Sequence, residues 1–189
     1  QNVVGNSPLI SKSWANETLL QPVHEFDIVV VVDFEATCDE GASSKISQQT
    51  QEIIEFPWVV IDLKGPEGAV ILDMQQRYVR PTVNKQLTSF CEGLTGIKQA
   101  DVDKASPLEV VLSEFQRYLT HFSSQRKTYA LLTDGEWDIK VMLQGEALRK
   151  GIQLPDYFRR FFDLRNIFSK FRGMQRLNLK RMLTASKLE

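Results

Sequence analysis

Two carboxylates stand two positions apart after the most aliphatic stretch of the chain. Residues 28–40 read IVVVVDFEATCDE, so Asp33 and Glu35 follow five β-branched residues that are typical of a buried strand. Side chains at positions i and i+2 of a strand project to the same face, so the pattern predicts that both carboxylates converge at the strand's carboxyl end. Uncompensated charge is unfavourable in an apolar setting, and hard oxygen ligands of this kind suit Mg²⁺ or Mn²⁺.

A second acidic group follows another apolar run. After TYALLT the chain reads TDGEWD, which places Asp134, Glu136 and Asp138 at the mouth of a predicted helix. An Asp-x-Glu pair alone is weak evidence, because many strands end in acidic residues that face solvent. Two buried strands that end in acids at the same sheet edge are more specific. Three carboxylates from these two strand ends therefore predict a two-metal site: Asp33, Glu35 and Asp138.

The elements that must position these acids begin with three strands. The opening strand is predicted over residues 27–36, and the segments 51–65 and 69–81 are predicted to form an antiparallel hairpin around KGPEG. A hairpin beside an all-aliphatic strand indicates a mixed sheet. Pro57 cannot donate to a ladder, so a bulge or a free edge is expected there.

Helices and strands then alternate. Ser106 and Glu109 have the spacing of a capping box, followed by an apolar stripe at helical spacing. Residues 128–133 are predicted as a short buried strand, and the next helix is expected to end at Gly151. FFDL is predicted to lead into a further helix, RNIFSKF, and the chain closes with RLNLKRMLTASKL. Three apolar residues of that last segment are expected to face a core: Leu177, Met182 and Leu183.

Composition and charge narrow the class of protein. The chain has 189 residues, 42% of them hydrophobic, and its longest aliphatic run is far too short for a membrane span. We expect one α/β domain over residues 26–189 behind a polar arm, residues 1–25. Two cysteines, Cys38 and Cys91, are expected to be reduced thiols of an intracellular protein. Nine of the 23 basic side chains lie within residues 158–189, which favours a polyanion contact or else a solvated helix face.

Four segments, in order, carry a resemblance to a known family. DFEATCDE, QEIIEFP, VRPTVNKQLTSFCEGLTGI and LLTDGEWD are similar to segments of the DEDDh 3′→5′ exonucleases. More narrowly, they resemble the enhanced-RNAi branch, which includes the histone-mRNA 3′ exonuclease. The resemblance implies a ribonuclease-H-like α/β fold with a five-stranded mixed sheet flanked by helices. It also implies two-metal hydrolysis, with Mg²⁺ or Mn²⁺, that releases nucleoside 5′-monophosphates from a 3′ end.

The resemblance assigns roles to particular residues. Asp33 and Glu35 match the first motif and Asp138 matches the second, which makes these three the implied catalytic metal ligands. Asp134 stands where many relatives have Asn, so it is expected to support the ligands without binding the metal. The resemblance also implies base stacking by Phe90 and Trp137, which could instead be core residues. Further implied contacts line the path of the scissile nucleotide: Leu94, Thr95, the backbone of Phe34 and Ala36, and the Thr37 hydroxyl.

One part of the family pattern has no counterpart among these residues. The third motif is a histidine followed five residues later by an aspartate, and it is expected shortly after the final predicted helix. His24 and His121 are the two histidines, and neither lies at that position. We therefore interpret the chain as a version of an active nuclease that is truncated before this motif.

Several functions stay open on these residues. The leading hypothesis is an exoribonuclease acting on single-stranded RNA 3′ ends or small-RNA duplexes. The alternatives are a DNA exonuclease, a catalytically incomplete RNA-binding module and a metal-free α/β domain. The last of these does not explain why three carboxylates should converge. The resemblance further implies RNA-silencing or ribonucleoprotein partners in the cytoplasm or nucleus, and no membrane partner.

Overall fold

The strands of this computed structural model form one large and one small sheet. The structure describes residues 17–18, 25–41 and 44–188, so most of the predicted arm, including His24, lies outside the described residues. The strands are β1 (Glu17–Thr18), β2 (Ile28–Val32), β3 (Glu35–Ala36), β4 (Ile53–Glu55), β5 (Trp58–Asp62), β6 (Val70–Gln75), β7 (Tyr129–Thr133) and β8 (Arg160–Asp163). The larger sheet has the strand order β1-β8-β7-β2-β5-β6, and the smaller one pairs β3 with β4.

The predicted five-stranded mixed sheet is confirmed as the centre of the fold. Strands β2, β7 and β8 run parallel, while β5 is antiparallel to β2 and β6 is antiparallel to β5. The hairpin predicted around KGPEG is therefore present. The two-residue β1 adds a sixth strand beside β8, so this part of the predicted arm pairs with the domain edge.

Helices connect the strands and cover the sheet. The segment after β7 starts as a π-helix, Trp137–Leu143, in which the Gln144 N–H donates to the Ile139 carbonyl five residues back. It continues into an α-helix that ends at Gly151 in the left-handed conformation, as the sequence predicts. The helices are α1 (Ser89–Thr95), α2 (Gln99–Asp103), α3 (Leu108–Ser124), α4 (Gln144–Lys150), α5 (Leu164–Arg172) and α6 (Leu179–Ala185).

Helix α3 packs its apolar stripe onto one face of the sheet. The ring of Phe115 lies 5.1 Å from those of Phe56 and Trp58, centroid to centroid. The predicted stripe is buried at every position: Val111, Leu112, Phe115, Leu119 and Phe122.

The predicted capping box at the start of α3 is wrong. Helix α3 begins after Pro107, and no side chain caps it. Ser106 is used by its backbone instead, because its carbonyl accepts the Arg80 N–H and Ser106 forms a parallel bridge with Val79. Pairing with a neighbouring extended segment therefore replaces the local cap.

The opening strand is shorter than predicted, and the break has a physical cause. Strand β2 ends at Val32, and Glu35 lies in β3, which pairs with β4 in the smaller sheet. The partner segment breaks at the matching place, between Glu55 and Trp58. Pro57 lies in that gap, where its missing N–H interrupts the hydrogen-bond ladder. The two neighbouring segments therefore leave the large sheet at the same place. The irregularity expected at Pro57 is confirmed as this break.

The remaining sequence expectations are met in part. Met182 is buried as predicted, while Leu177 and Leu183 are half-buried. Cys38 and Cys91 are free thiols. Within the described ranges, no helix has the length and apolar character that a membrane crossing requires.

Candidate active site

Parallel pairing brings the two acidic segments to one sheet edge. Val31 of β2 pairs with Leu132 of β7, so Asp33 and Asp134 leave adjacent strands at their carboxyl ends. The chain turns at Gly135, which has a φ of +98° that favours glycine. This turn places Asp138 in the first turn of the π-helix.

One hydrogen bond joins the two predicted motifs. Asp138 is buried, and its Oδ1 accepts the backbone N–H of Phe34 at 2.7 Å, across 104 positions of sequence. Phe34 lies between Asp33 and Glu35, so this contact fixes Asp138 beside both of them. Asp33 is exposed and Glu35 is half-buried, so the three carboxylates form a group that is open to solvent on one side. We call Asp33, Glu35 and Asp138 the open cluster.

The open cluster is electrostatically unfavourable as it stands. Burial raises the pKa of Asp138 to about 6. The charges of Asp33 and Asp134 also raise this pKa, whereas the hydrogen bond from the Phe34 N–H lowers it. Burial and then the charge of Asp33 raise the pKa of Glu35. Burial and the charge of Asp134 raise the pKa of Asp33. Burial and a neighbouring carboxylate therefore oppose the ionisation of each of the three.

These residues fit a divalent cation by chemistry, although the ligands are not gathered into a finished site. Across residues 17–18, 25–41 and 44–188, no three histidine, cysteine or acidic groups stand close enough together to hold a metal ion. The donor set consists of carboxylate oxygens, which are the ligands that Mg²⁺ and Mn²⁺ prefer. Burial is the main cause that raises the three pKa values, and a cation would offset both this burial and the repulsion from neighbouring carboxylates.

Asp134 is paired with a residue that sequence reasoning missed. Arg165, near the start of α5, donates from Nε to Oδ1 at 2.9 Å and from Nη2 to Oδ2 at 2.8 Å. The bidentate geometry orients Asp134 towards the arginine, in keeping with the expected supporting role. The available signal was the position of Arg165 just beyond FFDL, since β8 is parallel to β7 and ends at the same edge.

The predicted stacking residues offer apolar surface at this edge. Trp137 is 42% exposed, and Leu94 on α1 is 67% exposed. Phe90 and Thr95, also on α1, are half-buried. The Thr95 hydroxyl donates to the Cys91 carbonyl at 2.8 Å, so its polar group is used within the helix.

The other predicted nucleotide contacts lie beneath the surface. The ring of Phe34 is buried 4.4 Å from that of Phe56, and Ala36 is also buried. Thr37 is 1% exposed, and its hydroxyl oxygen accepts the N–H of Glu52 at 2.9 Å. The side chains of these three residues therefore support the wall of the site from inside, and the sequence did not reveal this burial.

A second acidic group, also missed, lies behind the wall. Glu52 and Glu146 are almost fully buried, and Lys150 Nζ lies 2.7 Å from Glu52 Oε1 and 2.6 Å from Glu146 Oε1. Glu146 also accepts the Ile53 N–H at 2.6 Å. We call Glu52, Glu146 and Lys150 the closed network. Its sequence signal was the i, i+4 spacing of Glu146 and Lys150 on one helix.

The closed network ties together the elements that carry the open cluster. Glu146 lies on α4, which continues the π-helix that holds Asp138. Its backbone partner Ile53 lies on β4, which pairs with the Glu35 strand. The network therefore fixes the helix of one ligand against the strand of another.

His121 does not belong to the site. It lies in the last turn of α3 and is exposed, with its ring hydrogen-bonded to the side chain of Gln125 at 2.9 Å. His121 is therefore a surface residue.

The fold and the acidic edge define a nuclease of the exonuclease class, and comparison with known proteins agrees. The exonuclease family model, RNase_T, matches residues 30–189. The chain therefore belongs to the exonuclease family. A solved structure of product-bound exonuclease I shares the fold, with a TM-score of 0.54 at 11% identity, covering 77% of this chain and 32% of that one.

More similar proteins are 3′-5′ exoribonucleases. The chain is 35% identical over 164 residues to the rat 3′-5′ exoribonuclease 1, covering 86% of the chain and 46% of the relative. It is 36% identical over 150 residues to the human ERI1 exoribonuclease 3, covering 78% and 42%. The chain thus spans about half the length of these relatives or less.

Two solved structures align at a TM-score of 0.69 and 33% identity. One is a 3′-exonuclease that recognises the histone mRNA stem-loop, with 80% of this chain and 50% of that one covered. The other is the nuclease domain of 3′hExo, a DEDDh family member bound to rAMP, with 80% and 73% covered.

Proposed function

We propose that this chain is the nuclease domain of a metal-dependent 3′→5′ exoribonuclease that releases nucleoside 5′-monophosphates. The observation that carries the proposal is the hydrogen bond from Phe34 to Asp138, which holds three repelling carboxylates at one sheet edge. The family and the exoribonuclease relatives support the same activity.

Asp33, Glu35 and Asp138 would hold two Mg²⁺ or Mn²⁺ ions. When bound, such ions activate a water for in-line attack on the last phosphodiester and stabilise the departing 3′ oxygen. The protein's part is to keep Asp138 in place through Phe34 and to keep Asp134 aligned through Arg165. Trp137 and Phe90 would stack on the terminal base, an interaction worth roughly 1–3 kcal/mol that accepts any base.

The basic end of the chain contributes less free charge than its sequence suggests. Arg176 binds the buried Asp163 at 2.6 Å, and Arg172 donates to the Ala185 carbonyl at 3.3 Å. Replacing these two arginines would therefore disturb the fold as well as any phosphate contact. Exposed basic side chains in the same segment give a cleaner test of RNA tracking: Lys170, Lys180 and Arg181.

A time course with 5′-labelled single-stranded RNA in Mn²⁺ tests the activity. A ladder that shortens from the 3′ end, absent in Asp33→Asn and present in the control Asp39→Asn, would support the exonuclease. An RNA that ends in one 2′-deoxynucleotide separates RNA from DNA preference, because only the 2′-hydroxyl differs.

The same assay on a chain extended by the family's third motif tests the role of that motif's histidine and aspartate. Cleavage by the extended chain that is lost when the motif's histidine alone is replaced by alanine would assign proton transfer to that histidine. RNA binding without cleavage by either chain would favour the RNA-binding module and contradict the proposed activity.

A further inference from the structure

A cleft of about 390 Å³ lies beside the turn that leads to Asp138 of the open cluster. Its volume is in the range of pockets that bind small ligands. One wall is the turn from Asp134 to Trp137, and the other is the segment around Asn178. Trp137 therefore borders both this cleft and the position proposed for the terminal base.

Two guanidinium groups lie side by side in the cleft. A Cβ atom built on Gly135 would lie 3.4 Å from Arg176 Nη2 and 3.7 Å from Arg165 Nε, so both arginines cover this glycine. Their mutual repulsion is offset because Arg165 pairs with Asp134 and Arg176 pairs with Asp163.

Both arginines remain accessible after these pairings. The side chain of Arg165 is 34% exposed and that of Arg176 is 47% exposed. A guanidinium carries five N–H donors in a planar fork that matches phosphate oxygens. An arginine whose orientation is already fixed loses less entropy when it binds a phosphate.

We propose that this cleft binds the phosphodiester next upstream of the scissile one, so that RNA leaves the site along Arg165 and Arg176. This inference rests on the proposed function. Helix α1 lies beside the Glu35 strand, since Cys91 Sγ is 3.7 Å from the Ala36 carbonyl, and it carries Phe90, Leu94 and Thr95, which suit a base or a sugar better than a phosphate. The phosphate path therefore runs on the side where Arg165 and Arg176 lie.

Asn178→Asp tests the cleft with little change to the fold. Asn178 is the exposed N-cap of α6 and accepts the Arg181 N–H at 3.0 Å, and aspartate caps as well as asparagine does. The substitution adds a negative charge to the cleft and removes no arginine. Gln116→Glu adds the same charge on the exposed side of α3 and is the matched control.

The measurement compares a labelled RNA hexanucleotide with AMP, both titrated in Ca²⁺, with the RNA checked for cleavage afterwards. We expect Asn178→Asp to weaken hexanucleotide binding about fivefold to tenfold at low salt, and to leave AMP binding within twofold. Gln116→Glu should change neither affinity. Wild-type hexanucleotide affinity in Asn178→Asp would overturn the cleft, and so would an equal loss for both ligands.

A second variant removes the fork and keeps the charge. Arg165→Lys with Arg176→Lys should also weaken the hexanucleotide selectively, whereas Arg77→Lys, in the ion pair with Glu114, should not. If the wild-type chain bound neither hexanucleotide nor AMP, the proposed function would fail at its first step. If the wild-type chain and the variants all bound both ligands equally well, the cleft proposal would be rejected and the proposed function would stand.

Discussion

The open cluster and the closed network are both acidic groups, but they are balanced in opposite ways. The carboxylate of Glu52 receives Lys150 and the N–H groups of Thr82, Val83 and Asn84. Burial alone would raise the pKa of Glu52, yet these partners hold it below its ordinary value. In the open cluster every carboxylate pKa is raised. Glu52 is therefore compensated within the chain, whereas we propose that an external cation compensates the open cluster.

The difference shows how to separate structural acids from functional ones. Both groups contain buried carboxylates, so burial by itself does not identify a site. The two groups differ in whether their charge is compensated within the protein. Lys150 and backbone N–H groups pair with the carboxylates of the closed network, whereas the carboxylates of the open cluster repel one another. Removing a charge from the open cluster should therefore impair metal binding more than folding. Removing the lysine from the closed network should impair folding more than metal binding.

The largest expected effect comes from Asp138→Asn. The amide oxygen can still accept the Phe34 N–H, but the site loses one metal-binding charge. We expect cleavage to fall about 10³-fold or more, while the free energy of unfolding stays equal or rises because repulsion is relieved. RNA cleavage and urea unfolding, with Asp156→Asn as the exposed control, measure the two effects. A large loss of stability would assign Asp138 to the fold instead.

Lys150→Met should have the opposite profile. It leaves Glu52 and Glu146 buried without their cation, which is expected to lower the free energy of unfolding by about 3–5 kcal/mol. Lys140→Met removes a partner from the more exposed pair with Glu136 and should lower it by less than about 1 kcal/mol. Urea unfolding at neutral pH compares the two, and equal losses would contradict the contrast.

The pH dependence of the metal-free protein gives a smaller effect. Because the folded-state pKa of Asp138 is raised to about 6, its protonation stabilises the folded state as the pH falls. From pH 7 to pH 5 this group should add about 1 kcal/mol to the free energy of unfolding. The gain should be smaller by this amount in Asp138→Asn, and it should be reversed by saturating Mn²⁺, which binds the ionised carboxylates. Unfolding curves in a chelator at the two pH values measure it.

Glu146→Gln should have the smallest effect. Burial raises the pKa of Glu146, so loss of its charge relieves part of the unfavourable burial. The amide oxygen can still accept the Ile53 N–H, and Lys150 keeps Glu52 as its partner. The free energy of unfolding should change by less than about 1 kcal/mol, and Mn²⁺ affinity should be unchanged. A large change in either would show that the closed network is less self-sufficient than its contacts indicate.

Sequence periodicity was enough to predict the large sheet and its longest helix. The aliphatic run of β2, the hairpin and the stripe of α3 depend on local patterns that the structure preserves. The convergence of Asp33 and Asp138 was also predictable, because two parallel strands must end at one edge.

The missing parts depend on contacts between distant segments. The pairing of Arg165 with Asp134, and of Lys150 with Glu52, joins residues 31 and 98 positions apart. The burial of Thr37 depends on Glu52, and Ser106 is diverted from its cap by Arg80. No spacing rule within one element reveals such partners.

The π-helix makes the site sensitive to the deletion of a single residue. Its wider turn accommodates an additional residue between the acidic turn and α4, so loss of a single codon there would let an ordinary helix form. Asp138 would then rotate by about 100° relative to Glu146 and leave Phe34. Lineages of this domain should therefore tolerate many substitutions along the exposed side of this helix while keeping its length unchanged.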